Sequence, residues 1–405
     1  MHRVVVTGIG VISALGLDCE QFRAGLTQGL CGIAPITLVD TSGIRIKNAA
    51  EVKGYNPDQF FPPKQLGFMD RFAQFAVIAA REAVAAARIE WTPELLETTA
   101  IVTGACIGGR TLEESGYYEM YHNGRSRVHP LTIPFSMVNA GASHISIELG
   151  IQGPTFNTST ACASSAHAIG QAFWMVRTGF APMAIAGGSE APLFFGGLKA
   201  WEAMRVVSTD TCRPFSLNRT GMILGEGAAM LILEPLEAAL ARGAQPIAEI
   251  AGFGMSADAT HIIQPSQAGA ERAMRAALRD AGLQPHDIGY INAHGTATEA
   301  NDSTEVAAIR AVFGEHADRL AISSTKSMHG HTLGAAGAME AAVTAFALRD
   351  GVLPPTINFT AVDPACNIDV IPHTARAVRV DAALSNSFAF GGLNAVLALR
   401  SLTSA

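Results

Sequence analysis

The 405-residue sequence predicts an α/β protein built from two similar halves. Short apolar, β-branched segments alternate with Ala-rich helical segments along the chain. The pattern restarts near residue 245, where residues 247–254 (IAEIAGFG) echo residues 4–10 (VVVTGIG). No low-complexity or charged linker separates the halves. We therefore predict parallel sheets with helices on both faces, in domains 1–245 and 246–405 that pack as one compact body.

The elements of the first half follow from composition and turn residues. Residues 3–10 form a buried strand, 20–29 a helix and 68–87 a long helix that is apolar on most faces. Further strands are predicted at 100–103, 183–188 and 228–233, with helices at 139–149 and 166–176. Residues 110–130 hold Tyr117, Tyr118 and Tyr121 without clear periodicity, which predicts an excursion that covers another part of the protein.

The second half repeats the alternation of strands and helices. Helices are predicted at 270–281, 302–313 and 334–348, strands at 247–254, 288–293 and 320–323, and a last pair of strands brackets 385–394. Ligands of open α/β sheets bind at the carboxyl ends of strands. The polar segments that follow these strands are therefore candidate site residues.

Composition excludes several classes of function. The net charge of −7 argues against nucleic-acid binding, which normally uses a basic surface. Charged residues make up only 16% of the chain, which suggests that a partner subunit covers part of the surface. The six cysteines form no C-x-x-C pair, so neither a zinc site nor a disulfide framework is expected. Without a signal peptide or a membrane span, we expect a cytoplasmic protein that does not interact with membranes.

Cys162 lies where an extended segment turns into a helix, within residues 158–167 (TSTACASSAH). The N–H groups at a helix start and the positive end of the helix dipole favour a thiolate over a thiol. Small neighbours leave room for a substrate carbonyl beside the sulfur. The alternative is a small, inert core residue, which is the usual role of a free cysteine. This motif alone leaves both interpretations open.

Three further polar segments follow predicted strands of the second half. They are residues 292–298 (NAHGTAT), 324–331 (STKSMHGH) and 386–394 (NSFAFGGLN). Each has an ordinary explanation on its own, such as a structural histidine, a surface Lys326, or a core Phe388 and Phe390. Together with a cysteine at a helix start, they describe a Cys–His–His site.

These motifs resemble, in order and spacing, those of the elongating type II β-ketoacyl-[acyl-carrier-protein] synthases. The resemblance runs over nearly the whole chain and rests on residues 160–162 (TAC), 212–215 (CRPF), 224–227 (LGEG), 294–296 (HGT), 326–331 (KSMHGH) and 390–392 (FGG). It implies a thiolase fold, in which duplicated βαβ halves form a five-layered αβαβα arrangement, usually as a dimer. That fold agrees with the restart near residue 245.

The resemblance also implies a decarboxylative Claisen condensation that elongates a fatty-acyl, polyketide or polyene chain. Cys162 would take the acyl group, and the backbone N–H groups of Cys162 and Phe390 would form the oxyanion hole. His294 and His331, as neutral imidazoles, would hold the malonyl thioester while CO2 leaves. Lys326 would orient the site and pair with Glu340.

The remaining implications concern the substrate arm and the partners. Thr296 and Thr298 would hydrogen-bond the phosphopantetheine arm, while Ile107 and Phe390 would form a gate between the cysteine and the acyl pocket. Substrates would arrive on the phosphopantetheine of an acyl carrier protein, and neither a metal nor another cofactor is expected. The assembly would be a homodimer, or a heterodimer with a chain-length factor.

Several positions depart from the family pattern. Ala389 adds a methyl group to the Gly-rich loop, which would stiffen the gate, and Ile263 stands where a threonine near the pantetheine is expected. The basic cluster for an acidic carrier is thin, with Lys64 alone in residues 63–69 and with Arg71 and Arg205 as candidates to compensate. These features suggest a dedicated carrier. Residues 198–205 and 210–215 look most like nodulation-factor and polyene ketosynthases.

Three alternatives share the fold. Thiolases place a second cysteine on the last Gly-rich loop, and residues 388–394 have none. Starter-unit synthases use a Cys-His-Asn set, whereas the third group here is His331. A non-elongating chain-length partner of a heterodimeric ketosynthase would lack the active cysteine, and it stays the alternative from another functional class.

Overall fold

The computed structural model describes residues 1–402. The strands, in chain order, are β1 (Val4–Ser13), β2 (Ala34–Pro35), β3 (Asn48–Ala49), β4 (Ala100–Gly104), β5 (Thr155–Thr158), β6 (Ala184–Glu190), β7 (Gly227–Pro235), β8 (Ala248–Ala257), β9 (Ile288–Asn292), β10 (Ala321–Ser323), β11 (Val352–Leu353), β12 (Arg376–Ala377), β13 (Ala382–Ala389) and β14 (Leu393–Arg400).

The α-helices are α1 (Cys19–Gln28), α2 (Pro63–Leu66), α3 (Arg71–Ala87), α4 (Pro93–Thr98), α5 (Arg110–Tyr121), α6 (Thr132–Ser136), α7 (Ala140–Leu149), α8 (Ser164–Arg177), α9 (Phe195–Met204), α10 (Leu236–Ala241), α11 (Gln267–Ala281), α12 (Glu299–Phe313), α13 (Lys326–His329) and α14 (Ala336–Asp350). Short 3₁₀ turns lie at Pro57–Gln59, Pro285–Asp287, Gly314–Arg319, Leu333–Ala335, Pro364–Cys366 and Phe390–Gly392.

Ten strands within residues 1–402 form one continuous sheet in the order β10-β9-β13-β14-β8-β1-β7-β6-β4-β5. β1 and β8 join the halves as an antiparallel pair, with Val4 opposite Ile250. The order β5-β4-β6-β7-β1 in the first half is the same as β10-β9-β13-β14-β8 in the second. The predicted duplication of the fold is therefore confirmed, while the division into domains at residue 245 stays a prediction.

The prediction of purely parallel sheets is wrong. β4 pairs in parallel with β5 and β6, but β7 runs antiparallel to both β6 and β1. In the second half, β13 is parallel to β9 and antiparallel to β14. The turn Phe390–Gly392 explains this last pair, since a connection of that length makes a hairpin, whereas parallel strands need a long crossover.

Five layers follow from the packing of the helices. α3 packs on β1 and β7 with α7 beside it, and α11 packs on β8 and β14 with α12 beside it. Between the five strands of the first half and the five of the second lie α8, which contacts β4, β6 and β8, and α14, which contacts β7 and β13. Small residues allow this close approach, because a Cβ at Gly337 of α14 would lie only 2.7 Å from Ala166 of α8. The predicted αβαβα arrangement is confirmed.

Residues 110–130 differ from the prediction of an irregular excursion. Residues 110–121 form the helix α5, which has no buried residue and therefore no apolar face that would show as periodicity. Tyr117, Tyr118 and Tyr121 are exposed on it. No helix within residues 1–402 is long and apolar enough to cross a membrane.

Candidate active site

Cys162 stands on a tight turn between β5 and α8. Ala161 just before it has φ +48°, a left-handed conformation that non-glycine residues adopt mainly at constrained sites. Ser164 holds the turn, because its hydroxyl donates to Ala161 O (2.6 Å) and accepts from Thr160 N–H (2.8 Å). The small polar residues of 158–165 therefore build the turn that presents the sulfur, which is 6% exposed.

The protonation state of Cys162 differs from the expectation of a favoured thiolate. Burial raises the pKa of the thiol to about 11, although the Lys326 charge and the backbone N–H groups of Phe390 and Cys162 itself lower it. Desolvation therefore outweighs the helix start, and the resting sulfur is a thiol.

His294 and His331 converge on this sulfur from distant parts of the chain. The ligand atoms of Cys162, His294 and His331 all lie within 4.8 Å of one another, and all three side chains are buried. The two imidazoles meet edge to face, with ring centroids 5.4 Å apart. His294 lies two residues after the end of β9. The backbone N–H of His331 donates a hydrogen bond to Ile223 O (2.7 Å) in the first half.

Both imidazoles are neutral at physiological pH. Burial and then the Lys326 charge lower the pKa values of His294 and His331 well below 6.5. Lys326 Nζ lies 3.4 Å from His294 Nδ1, which assigns Nδ1 as an acceptor and leaves the Nε2–H free to donate. Neither ring nitrogen of His331 has a hydrogen-bond partner within residues 1–402. Both rings can therefore donate one hydrogen bond to a bound group.

Lys326 is fully buried, which excludes the alternative of a surface charge. Its ammonium donates to His294 O (2.6 Å) and forms an ion pair with Glu340 of α14. Burial raises the pKa of the Glu340 carboxyl, and the ammonium opposes that rise. The pair ties α13 and α14 to the segment that carries His294.

Glu305 is a site residue that the sequence analysis missed. Its carboxylate, fully buried on α12, accepts hydrogen bonds from His294 N–H (2.9 Å), Gly295 N–H (2.8 Å) and Asn386 Nδ2 (3.1 Å). It therefore fixes the backbone of His294 and the strand β13 together. A glutamate on the buried face of the helix that follows the HGT motif was the signal available in the sequence.

A cleft leads to the sulfur, and most of its lining residues are apolar. Thr296 and Thr298 line it, with their hydroxyls 2.8 Å apart. Ala389 also lines the cleft, and its backbone has an ordinary extended conformation (φ −110°). The complete lining is Cys162, Val206, Met222, Asp258, Ile263, Pro265, His294, Thr296, Thr298, Ala300, Asn301, His331, Phe388, Ala389, Phe390 and Asn394.

Ile107 does not line this cleft. It packs against the apolar cluster that contains Cys162, Leu193 and Leu198. Phe390 connects the cleft with this apolar cluster, because it lines the cleft and stacks on Trp201, with ring centroids 6.3 Å apart. Trp201 packs against the same cluster, and the sequence analysis gave it no role.

The surface around residues 63–69 corrects one expectation. Arg71 does not supply a docking charge, because its guanidinium is bonded to the buried Glu226 (2.6 and 2.8 Å). Lys64 and Arg205 are exposed. Phe68 is also exposed (46%) and lies edge-on to Phe135.

Two family models match the chain. One is described as "Beta-ketoacyl synthase, N-terminal domain" and matches residues 1–239. The other is "Beta-ketoacyl synthase, C-terminal domain" and matches residues 247–360.

Curated relatives and solved structures agree with these matches. "Nodulation protein E" of Rhizobium sp. (strain N33) is 47% identical, with 98% of this chain and 99% of the relative covered. "3-oxoacyl-[acyl-carrier-protein] synthase 2" of Staphylococcus aureus (strain COL) is 41% identical, with 98% of each covered. The structure of "The ishigamide ketosynthase/chain length factor" has a TM-score of 0.94, 37% identity and 99% coverage of each chain. A type II polyketide ketosynthase in complex with its acyl-carrier protein has a TM-score of 0.90, 30% identity and 99% coverage of each chain.

Proposed function

The chain belongs to the β-ketoacyl synthase family, and we propose that Cys162, His294 and His331 perform the decarboxylative Claisen condensation of that family. The protein is a condensing acyltransferase of the 3-oxoacyl-[acyl-carrier-protein] synthase type. The observation that carries the proposal is the convergence of one thiol and two neutral imidazoles within 4.8 Å, at the end of a cleft.

The first half-reaction loads the acyl group. Cys162 Sγ attacks the thioester carbonyl of an acyl donor, and the carbonyl oxygen takes up negative charge. The N–H groups of Cys162 and Phe390 are proposed to stabilise that oxyanion, and both groups lower the pKa of the Cys162 thiol, which supports this role. The carrier thiolate leaves and takes the proton that Sγ gives up, because the resting sulfur is a thiol.

The second half-reaction forms the carbon–carbon bond. His294 Nε2–H and one N–H of His331 donate to the carbonyl oxygen of a malonyl thioester, so the electrons of the breaking C–CO2 bond move into an enolate. The enolate carbon attacks the acyl-Cys162 carbonyl, and the sulfur leaves. Neutral imidazoles suit this step, since they donate hydrogen bonds without quenching the carbanion by full protonation. Lys326, paired with Glu340, and Glu305 hold His294 in place.

Substrates are proposed to arrive on the phosphopantetheine of an acyl carrier protein, without a metal or another cofactor. The hydroxyls of Thr296 and Thr298 lie in the cleft, where such an arm would pass. A related ketosynthase has been captured with its acyl-carrier protein. Ile107 and Phe390 are assigned to the gate on the acyl side, with Ala389 restricting the loop.

The assembly is proposed to be a homodimer, or a heterodimer with a chain-length factor. The ishigamide ketosynthase has a chain length factor, and its fold matches this chain over 99% of its length. Together with the similarity to Nodulation protein E, it supports the proposal of a specialised pathway over housekeeping fatty-acid synthesis. The proposed location is the cytoplasm. The proposed product is an extended acyl or polyene chain on a dedicated carrier.

A Cys162→Ala variant tests this function. We expect the wild-type chain to gain the mass of the acyl group on incubation with acyl-carrier donors, and the variant to gain none. Cys212→Ala, which removes another buried cysteine, is the matched control and should still be acylated. Acyl label retained on Cys162→Ala would contradict the role of Cys162 as the acyl acceptor. A wild-type chain that is never acylated would favour the alternative of a non-elongating chain-length partner.

A further inference from the structure

Glu190 is a buried carboxylate that the steps above do not use. It ends β6 and accepts hydrogen bonds from three successive backbone N–H groups: Cys106 (2.8 Å), Ile107 (3.0 Å) and Gly108 (3.4 Å). The Cys106 thiol lies 3.6 Å from its second oxygen. Successive N–H groups that wrap an anion form a nest. No ion pair of Glu190 occurs within residues 1–402, so the nest is what favours its charged form, although burial outweighs these N–H groups and raises the pKa of the carboxyl to about 7.

The nest belongs to residues 105–109, here called the gate loop, which connects β4 to α5. Its Cys106 and Ile107 pack against the apolar cluster that contains Cys162, and neither lines the substrate cleft. The loop is also confined from behind. Gly109 N–H donates to Ser136 O (3.2 Å), and a side chain at Gly108, where φ is +69°, would lie 2.7 Å from that same oxygen.

We propose that Glu190 is a positioning residue for acyl transfer, which fixes the gate loop so that Ile107 has one defined place beside the acyl group on Cys162. The inference rests on the proposed function and deepens it. An acyl chain on the sulfur that extends away from the cleft has to pass the apolar cluster that Ile107 joins. A malonyl thioester held by His294 and His331 lies on the cleft side and does not meet the gate loop. Loss of the nest therefore alters acyl-chain selectivity and leaves decarboxylation unchanged.

The test compares Glu190→Gln with the wild-type chain in two reactions. Acylation of Cys162 is followed by intact mass with short and long acyl-carrier donors, and malonyl decarboxylation is followed by CO2 release. Gln keeps one carbonyl oxygen for these N–H groups, but its NH2 replaces the oxygen Oε2 that accepts from Ile107 N–H (3.1 Å). The nest then holds no anion and meets a donor instead of an acceptor, so the loop is held less firmly. We expect acylation by long donors to fall about 10- to 100-fold, with a smaller loss for short donors. Decarboxylation should change less than about twofold.

A double-mutant cycle shows whether Glu190 acts through Ile107. The ratio of acylation rates with long and short donors is here called the donor profile. Adding Glu190→Gln to Ile107→Ala should cause little further change in the donor profile, because the side chain that the loop positions is already gone. Glu82→Gln is the matched control, since Glu82 also accepts two backbone N–H groups, from Val11 (2.8 Å) and Cys19 (2.7 Å), on a different segment. It should leave the donor profile unchanged.

Gly108→Ala provides an independent variant if Glu190→Gln does not fold, because it displaces the gate loop from the opposite side and should shift the donor profile in the same direction. Equal losses in acylation and decarboxylation, an unchanged donor profile, or additive effects with Ile107→Ala would overturn the inference while the proposed function stands. A wild-type chain that is never acylated would overturn the proposed function instead, and this inference with it.

Discussion

The sulfur of Cys162 is the atom on which the proposed chemistry depends, and its reactivity follows from two opposing effects. The Lys326 charge and two backbone N–H groups favour the thiolate, while burial disfavours it more strongly. A thiol of pKa about 11 has roughly a thousandth of its molecules ionised at pH 8. In the proposed mechanism, the nucleophile therefore stays protonated until a thioester binds beside it.

This protonation state predicts how Cys162 reacts with iodoacetamide. Because only the thiolate is alkylated, the rate should rise about tenfold per pH unit from pH 7 to about 10, with no plateau near pH 8. The measurement is peptide mapping of alkylated Cys162 in a Cys31→Ser background, since Cys31 is exposed and would react first. A plateau below pH 8 would show that the helix start, rather than burial, controls the thiol.

Single residues also mark where the sequence was least informative. The sequence predicted Cys162, His294, His331 and Lys326 as one site, because each stands after a strand or at a helix start in a recognisable motif. Glu305 and Glu190 were missed, since a lone glutamate on a helix or strand resembles any surface acid until its partners are known. Both act on backbone N–H groups of distant segments, and no sequence spacing encodes such contacts.

At the scale of elements, the turn Phe390–Gly392 positions the backbone N–H of Phe390, which is the proposed oxyanion donor. Gly391 and Gly392 have φ of +81° and +68°, which residues with a side chain rarely adopt. Asp258 secures the turn, because its N–H donates to Gly392 O (2.8 Å) and its carboxylate accepts from Asn394 Nδ2 (2.7 Å). Glycine is thus required by both conformation and space.

Gly392→Ala should therefore displace Phe390. A Cβ at this position would lie 2.5 Å from Asp258 Cβ, so strain and collision combine. We expect a loss of about 2 kcal/mol in the free energy of unfolding and a slower acylation of Cys162. Gly282→Ala is the control, since Gly282 has φ +62° with no atom within 4 Å of its added Cβ. The control should lose stability in urea unfolding but acylate at the wild-type rate, and equal acylation rates in both variants would contradict the argument.

The elements themselves were largely predictable, because apolar periodicity and glycine turns set most helices and strands within a few residues. Strand direction was not, since the antiparallel β7 and β14 follow from how their connections run. The helix α5 was missed for a related reason. It lies on the surface without a buried face, so its helical state left no hydrophobic pattern to detect.

At the scale of the whole molecule, surface charge determines how the proposed carrier is met. The chain carries a net charge of −7, so it repels an acidic carrier at long range. Arg71 forms an ion pair with the buried Glu226 and is not available to a carrier. Residues 63–69, where a denser basic cluster was expected, contain the single cation Lys64 and the exposed Phe68. This surface is therefore suited to a carrier that docks mainly through apolar contacts.

That arrangement predicts a weak dependence of carrier-linked turnover on salt. Raising ionic strength from about 0.1 M to about 1 M shortens the Debye length from ~10 Å to ~3 Å, so steered association would slow many-fold. For this chain, we expect kcat/KM with an acyl-carrier substrate to change less than about threefold. Phe68→Lys, which restores a charge on the same surface, should make turnover fall more steeply with salt. If kcat/KM of the wild-type chain fell tenfold or more over this salt range, the exposed cations Lys64 and Arg205 would be steering the carrier, and the argument would be wrong.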